Sequence, residues 1–437
     1  MERVFYIYIS TFGLFMIVAV GIDFGTTNSV VALADDAGGV RSLSWPTDTR
    51  LTDTFRTALL FWAEGRGVQH VAGPMAIAAK LAGEHDNRFI QSIKTHLASR
   101  LFTETRLFGH KFTLEDLIST FLKDLIAQDV ATIRDSGLPI AAGRPVVFAG
   151  ERPDEALAVE RLHRSFAAAG METITLAYEP LGAAYYYARA LKRDETVLVA
   201  DFGGGTSDFS VIRFSVGDGK LSAVPLAHSG VGIAGDTFDY RLLDHLVAPQ
   251  LGKGSLYRSG DKRLPLPAYY HAAFAQWHQL SWLKNPKTLN ELRRLVRDSE
   301  APEALEDLIT MIDTDAGFDL YQAISAVKAR LSSDLEAHLH FIREGVEIKA
   351  KVTRAEFERW IADDLARIEA AMSEAVTQAG LLYGQIDAVF LTGGTSLVPK
   401  VQEMFTRHFG ADKVHIGDAF QSVASGLALY ARDMAAA

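Results

Sequence analysis

No cysteine occurs among the 437 residues. That absence excludes disulfides, thiolate nucleophiles and zinc–thiolate centres, and it is in keeping with a reducing cytoplasm as the place of work. Positive charge is short as well, with 44 Lys and Arg against 54 Asp and Glu and a formal net charge of −10. No dense Lys/Arg run offsets this balance, which argues against nucleic acid as a partner. One long stretch, residues 4–22, lacks charge altogether and has the length of a membrane span or signal core. It runs straight into Asp23 and a glycine turn, however, with no small-residue cleavage pattern before it. Met16 reads as a natural start, so residues 1–16 are expected to be an extension or a mis-set start, and no membrane partner is expected.

What is present is glycine in particular places. At this length more than one hydrophobic core is expected, and a 48% hydrophobic, 22% charged composition is that of a soluble globular protein. Residues 197–214 read VLVADFGGGTSDFSVIRF: an apolar run, a glycine-rich turn, and a second alternating run. Gly203, Gly204 and Gly205 let backbone N–H groups approach an anion, and Thr206 and Ser207 add hydroxyls. Asp201 and Asp208 place negative charge beside that turn, which is costly unless a cation such as Mg²⁺ lies between carboxylate and phosphate. A plain hairpin with a flexible turn is the alternative. Residues 17–33, IVAVGIDFGTTNSVVAL, repeat the pattern with Asp23, Gly25, Thr26 and Thr27. Two such hairpins far apart in sequence predict two similar lobes that share one phosphate chain.

Between and beyond them the chain alternates. Lys94 lies in a basic, partly helical piece at 87–101 and reads either as a phosphate partner or as a surface lysine. Thr113 opens a helix with acid in its first turn, continuing in apolar steps toward 134. Residues 145–149 (PVVFA) predict a short buried strand, and 154–169 an amphipathic helix stopped by Gly170. A strand then ends at Glu179, and Pro180 opens a helix; the acid is either functional, at a strand's carboxyl end, or a helix cap. GVGIAG at 230–235 is a weak dinucleotide match, read instead as a loop entering a helix at 236–246. Residues 247–320 predict an inserted helical subdomain in which Tyr269, Tyr270, Phe274, Trp277 and Trp282 are read as core, with a partner surface as the alternative. A helix at 323–335 carries Lys328 and Ser332, a strand is predicted at 346–352, and Gly393 and Gly394 make a third glycine turn before the closing helices.

Taken together, GIDFGTTNSV at 21–30, YEPLGAA at 178–184, DFGGGTSDFSV at 201–211, VTRAEFE at 352–358 and LTGGTSLVPKVQ at 391–402 resemble the nucleotide-binding domain of DnaK-type heat-shock chaperones. That family belongs to the actin-like ATPase superfamily, and the likeness runs over about residues 17–432. HSGVGIAGDTFD, LVRDSEAPE and VASGLAL are similar to the short YegD-type putative chaperones. The resemblance implies an α/β fold, a two-lobed actin-like ATPase built from duplicated ribonuclease H-like domains with inserted helical subdomains. Lobe I would span 17–198 and lobe II 199–437, with a helical insert at about 247–345. It implies ATP or ADP with Mg²⁺ as ligands: Asp23 and Asp201 holding the metal through water, and Gly25, Thr26, Thr27, Gly203, Gly204, Gly205 and Thr206 contacting phosphates. Lys94 would stabilise the γ-phosphate, with Glu179 orienting water and Asp201 as the third catalytic group. Gly235, Lys328, Ser332, Gly393 and Gly394 would wall the ribose and adenine, although Ser325, Ala329 and Leu397 replace the family's usual residues near the base. The sequence ends at Ala437, soon after the last predicted helix, so no linker, peptide clamp or lid is expected. The expected protein is a slowly hydrolysing Mg-ATP switch, a monomer or weak oligomer, with a client or co-chaperone as its protein partner. A non-catalytic or polymerising actin-like scaffold and, less favoured, a small-molecule kinase are the alternatives.

Overall fold

Two antiparallel hairpins seed the architecture of the chain, seen here in a computed structural model. It describes all residues but 1–6, 11–12, 48–50, 84–85, 151, 190, 218–219, 276–282, 315, 418–420 and 437. In the first hairpin Gly13–Phe24 pairs with Asn28–Asp35, Asp23 lying opposite Val30. In the second, Glu195–Phe202 pairs with Ser207–Gly217, Asp201 lying opposite Asp208. The leading strands are near-continuous apolar runs, mostly buried over residues 16–24 and 195–202, as expected of strands covered on both faces.

Each hairpin is extended by the same steps. Ile140–Arg144 adds parallel to the first leading strand and Thr175–Tyr178 parallel to that, while Val40–Ser42 adds antiparallel on the other side. On the second, Ala388–Thr392 and Val414–Ile416 add in parallel and Lys220–Val231 antiparallel. The strand order and directions are the same in both sheets, so the repeated turn motif marks a duplicated topology. This is the α/β actin-like ATPase fold expected from the sequence.

The described chain divides into two compact units, Met1–Ala234 with Arg367–Ala437, and Gly235–Ala366. Both sheets belong to the first. Within it, helix Glu179–Ala188 follows one outer parallel strand and helix Ser422–Ala436 the other, and the two helices pack together between the sheets. Small residues make this possible. A Cβ on Gly426 would strike the carbonyl of Gly182, and one on Gly182 would lie 2.7 Å from the carbonyl oxygen of Val423. Gly21 meets the backbone of Ala424 and Ala428 in the same way. Around them Ala183, Ala184, Ala424 and Ala428 join Val30, Val197, Val199 and Ile212 in one buried cluster.

Two expectations are corrected. Residues 145–149 are not a strand; the strand is Ile140–Arg144, one step earlier. The backbone N–H groups of Val146 and Val147 donate to the Asp208 carboxylate instead, at 2.8 and 3.2 Å, so they are lost to any ladder. The subdomain expected to be helical also contains a hairpin, Leu256–Ser259 with Lys262–Pro265, beside helices Ala268–Ala275, Pro286–Asp298 and Pro302–Asp313. The strand Lys262–Pro265 is exposed throughout and so has no burial-driven alternation to read. Tyr270 and Phe274 are core as expected, whereas Tyr269 is half exposed; Trp277 and Trp282 lie outside the described residues.

At the N-terminus, Ile7–Ser10 pairs antiparallel with the start of Gly13–Phe24, through Ile7 and Met16 at its far end. Residues 1–6 and 11–12 of the expected extension lie outside the described residues. Among the described residues no helix is long and apolar enough to cross a membrane.

The glycine contact between the two helices generates a test. Gly426→Ala is expected to destabilise the chain by about 2 kcal/mol or more through overpacking against backbone. Gly384→Ala, at an exposed position with open space around it, should stay within about 0.5 kcal/mol. Urea unfolding of the pair decides; equal midpoints would refute the packing argument.

Candidate active site

The turns come first. Gly25 is required by its turn, because a Cβ there would strike the carbonyl of Asn28. Thr57 braces the same turn from outside: its hydroxyl donates to the Gly25 carbonyl at 2.8 Å and its N–H to the Thr27 carbonyl at 2.9 Å. Ser29 and Thr57 share a further hydroxyl bond at 2.9 Å. In the second hairpin the N–H of Gly203 donates to Thr206 at 2.9 Å, closing the turn around Gly204 and Gly205. Thr26, Thr27, Gly204, Gly205 and Thr206 are half-buried and Gly203 is exposed, so both turns remain reachable. They face one another: the Cβ position of Gly205 lies 3.9 Å from the Thr26 hydroxyl. Gly393, with φ +85°, sits where a side chain would strike the carbonyl of Phe202, bringing the third glycine turn against the end of the second leading strand.

Beneath the turns lies a concentration of carboxylates. Lys94, on the short 3₁₀ turn Ile93–His96, donates to Glu179 at 2.5 Å, and both side chains are buried. Asp201 and Asp208 are buried beside them and Asp23 is half-buried. One buried ammonium therefore faces four carboxyl groups. The imbalance appears in their proton affinities. Asp23 is pushed up to about 7, by burial first and then by Glu179, with Lys94 opposing. Asp208 is pushed up to about 7 by burial and Glu179, against hydrogen bonds from the Thr206 hydroxyl and from Val147 and Val146. Asp201 is held well above the usual range by burial and by Glu179, Asp23 and Asp208. Burial works against the charge on Lys94, but Glu179 and Asp23 outweigh it and raise the amine above its ordinary value. Such a cluster attracts positive charge. Among the described residues no group of three or more His, Asp or Glu side chains is placed to hold a metal ion directly.

Asp23, Gly25, Thr26, Thr27, Lys94, Glu179, Asp201, Gly203 to Thr206, Gly393 and Gly394 all fall in the first compact unit. Gly235, Lys328 and Ser332 fall in the second, where they also meet. The Lys328 ammonium donates to the Gly235 carbonyl at 3.0 Å and to Asp239 at 2.7 Å, and Ser332 lies one helical turn further on. Sequence reasoning misses Thr57, which stands in a stretch without periodicity, and the anchoring role of Asp208. For Asp208 a signal is present, an acid that alternation would place opposite Asp201.

Duplicated sheets, paired glycine turns and a buried lysine–carboxylate cluster define an actin-like ATPase nucleotide-binding domain. A family model for Hsp70 protein matches residues 162–264 and 308–434, together more than half of the chain. The chain belongs to the Hsp70 family, whose members are ATP-binding, chaperone-like proteins. Glu179, Asp201 and the second glycine turn lie inside the matched segments, whereas the first hairpin and Lys94 join the site through the tertiary structure.

Because the proton on Asp208 is favoured by folding, the nucleotide-free, metal-free protein should lose stability as pH rises from about 4 to about 7. Asp208→Asn keeps an oxygen for Val146 and Val147 but cannot ionise. It should be more stable than wild type at pH 8, by up to about 4 kcal/mol, and similar at pH 4. Urea midpoints at the two pH values check this, and a variant that follows the wild-type profile contradicts it.

Proposed function

We propose that the chain is a Mg-ATP-binding switch of the Hsp70 type, similar to the YegD-type putative chaperones, that hydrolyses ATP slowly. The observation that carries this reading is the approach of Thr26 to Gly205 above the buried Lys94–Glu179 pair, with Asp23, Asp201 and Asp208 around it. Backbone N–H groups and hydroxyls of Gly25 to Thr27 and Gly203 to Thr206 would hold the phosphate chain. Asp23 and Asp201 would hold the metal through its waters, and Mg²⁺, when bound, supplies neutralisation of phosphate charge. Lys94 offers its ammonium to the γ-phosphoryl oxygens, and Glu179, held in place by that lysine, orients the attacking water. The phosphorus–oxygen bond to the β-phosphate would break as water's oxygen bonds to phosphorus, yielding ADP and hydrogen phosphate with one proton lost to solvent. Positioning and charge neutralisation supply most of the catalysis in such a transfer. Gly235, Lys328, Ser332, Gly393 and Gly394 carry the family's nucleoside-side assignments in this reading. The partner that reads the nucleotide state would be a client or co-chaperone protein.

Titration calorimetry with Mg-ATP, followed by phosphate release, tests the proposal. Wild type should bind, and Lys94→Ala and Asp201→Asn should lower turnover by about 100-fold or more with the fold intact. No binding heat in wild type, or unchanged phosphate release in both variants, would sink it.

A further inference from the structure

Lys94 sits on an awkward piece of backbone. Ser92, immediately before the short turn Ile93–His96, has φ +49°, a conformation uncommon outside glycine. Beyond His96 the chain runs to Leu101 without a regular element to hold it. A lysine that must meet one ligand atom needs its backbone fixed by something else.

That support comes from Arg161, on helix Glu155–Ala168. Arg161 is buried, 7% exposed, and its guanidinium hydrogen bonds converge on the segment that carries Lys94. One terminal nitrogen donates to the carbonyls of His96 at 3.1 Å, Leu97 at 3.0 Å and Ser99 at 2.9 Å; the other donates to Phe102 at 2.7 Å. The carboxylate of Glu115 stands 3.7 Å from Nε, on the neighbouring helix Leu114–Ile126. Asp154, at the start of Arg161's own helix, adds a further link, from its N–H to the Ala98 carbonyl at 3.0 Å.

Two physical points favour positioning over mere packing. A buried guanidinium costs desolvation energy, and here carbonyl dipoles, with one carboxylate beyond hydrogen-bond range, provide the compensation. Its rigid planar fork can also gather carbonyls spread over seven residues, which a lysine ammonium cannot do from a single point.

We infer that Arg161 is a positioning residue for Lys94, fixing residues 92–102 so that the ammonium stays beside Glu179. It touches no substrate and acts only through Lys94. This inference rests on the proposed ATPase role of Lys94, and the two are separable by experiment.

In the full-length chain, Arg161→Lys is the informative variant, with Arg161→Met as an uncharged companion should one of them fold poorly. Three readings are compared with wild type: deuterium uptake over residues 92–102, the rate at which an amine-reactive acetylating reagent labels Lys94 without nucleotide, and steady-state phosphate release. Faster uptake confined to 92–102, faster Lys94 labelling, and a fall in kcat of about 10-fold or more with KM nearly unchanged are expected. Uptake and labelling at wild-type rates in both variants would overturn the inference. So would faster uptake with an unchanged kcat, since Arg161 would then brace the loop without positioning the lysine. A wild type without turnover would remove the proposed function, and Lys94 labelling would then decide for or against Arg161 by itself.

Discussion

The closeness of two helices through Gly182 and Gly426 is the constraint on which the first compact unit depends. Each helix follows the outer parallel strand of one sheet, so their contact is also what couples the two sheets. A methyl group at either glycine would meet backbone of the other helix, which cannot turn aside as a side chain could. Because Gly21, on the first leading strand, makes the same kind of contact with the closing helix, hairpin and helix are also tied directly. Spacing set in the core in this way is transmitted to the ends of the leading strands, where the glycine turns face each other.

The second organising feature is electrostatic and opposes stability. Four carboxyl groups gather around one buried lysine, and three of them are held above their ordinary proton affinity. A fold that served only itself would gain by replacing these groups with apolar ones. Their retention places the favourable free energy of the site in whatever positive charge enters it. Asp208 links the two kinds of work, since its carboxylate both belongs to the cluster and takes the N–H groups of Val146 and Val147.

Much of this is legible in the sequence, but unevenly. Asp23 and Asp201 stand out because each ends an apolar run and precedes a glycine turn, a local pattern that occurs twice. Glu179 stands out at a strand end, yet the residues alone do not show which partner it takes; the fold gives it a buried bond to Lys94 and no capping bond on its own helix. The strand expected at 145–149 is absent because VVFA has strand-like composition while a distant aspartate claims its N–H groups. Thr57 and Arg161 leave no trace, because a threonine or an arginine in sequence does not show which carbonyls it will reach.

The sequence by itself determined the local events around the two repeated motifs: that the runs ending at Asp23 and Asp201 become strands, where glycine turns them, and where Thr113, Asp154 and Pro180 start helices. These follow from side-chain periodicity, from capping and from backbone freedom, all of which act within a few residues. Only the tertiary structure decided that Thr26 meets Gly205, that Lys94 is buried against Glu179, and that Arg161 closes on the carbonyls behind that lysine. Those contacts join residues up to 179 positions apart, Thr26 and Gly205 being the extreme. Their partners are set by the duplicated sheets and the helices packed between them, and no local preference encodes them.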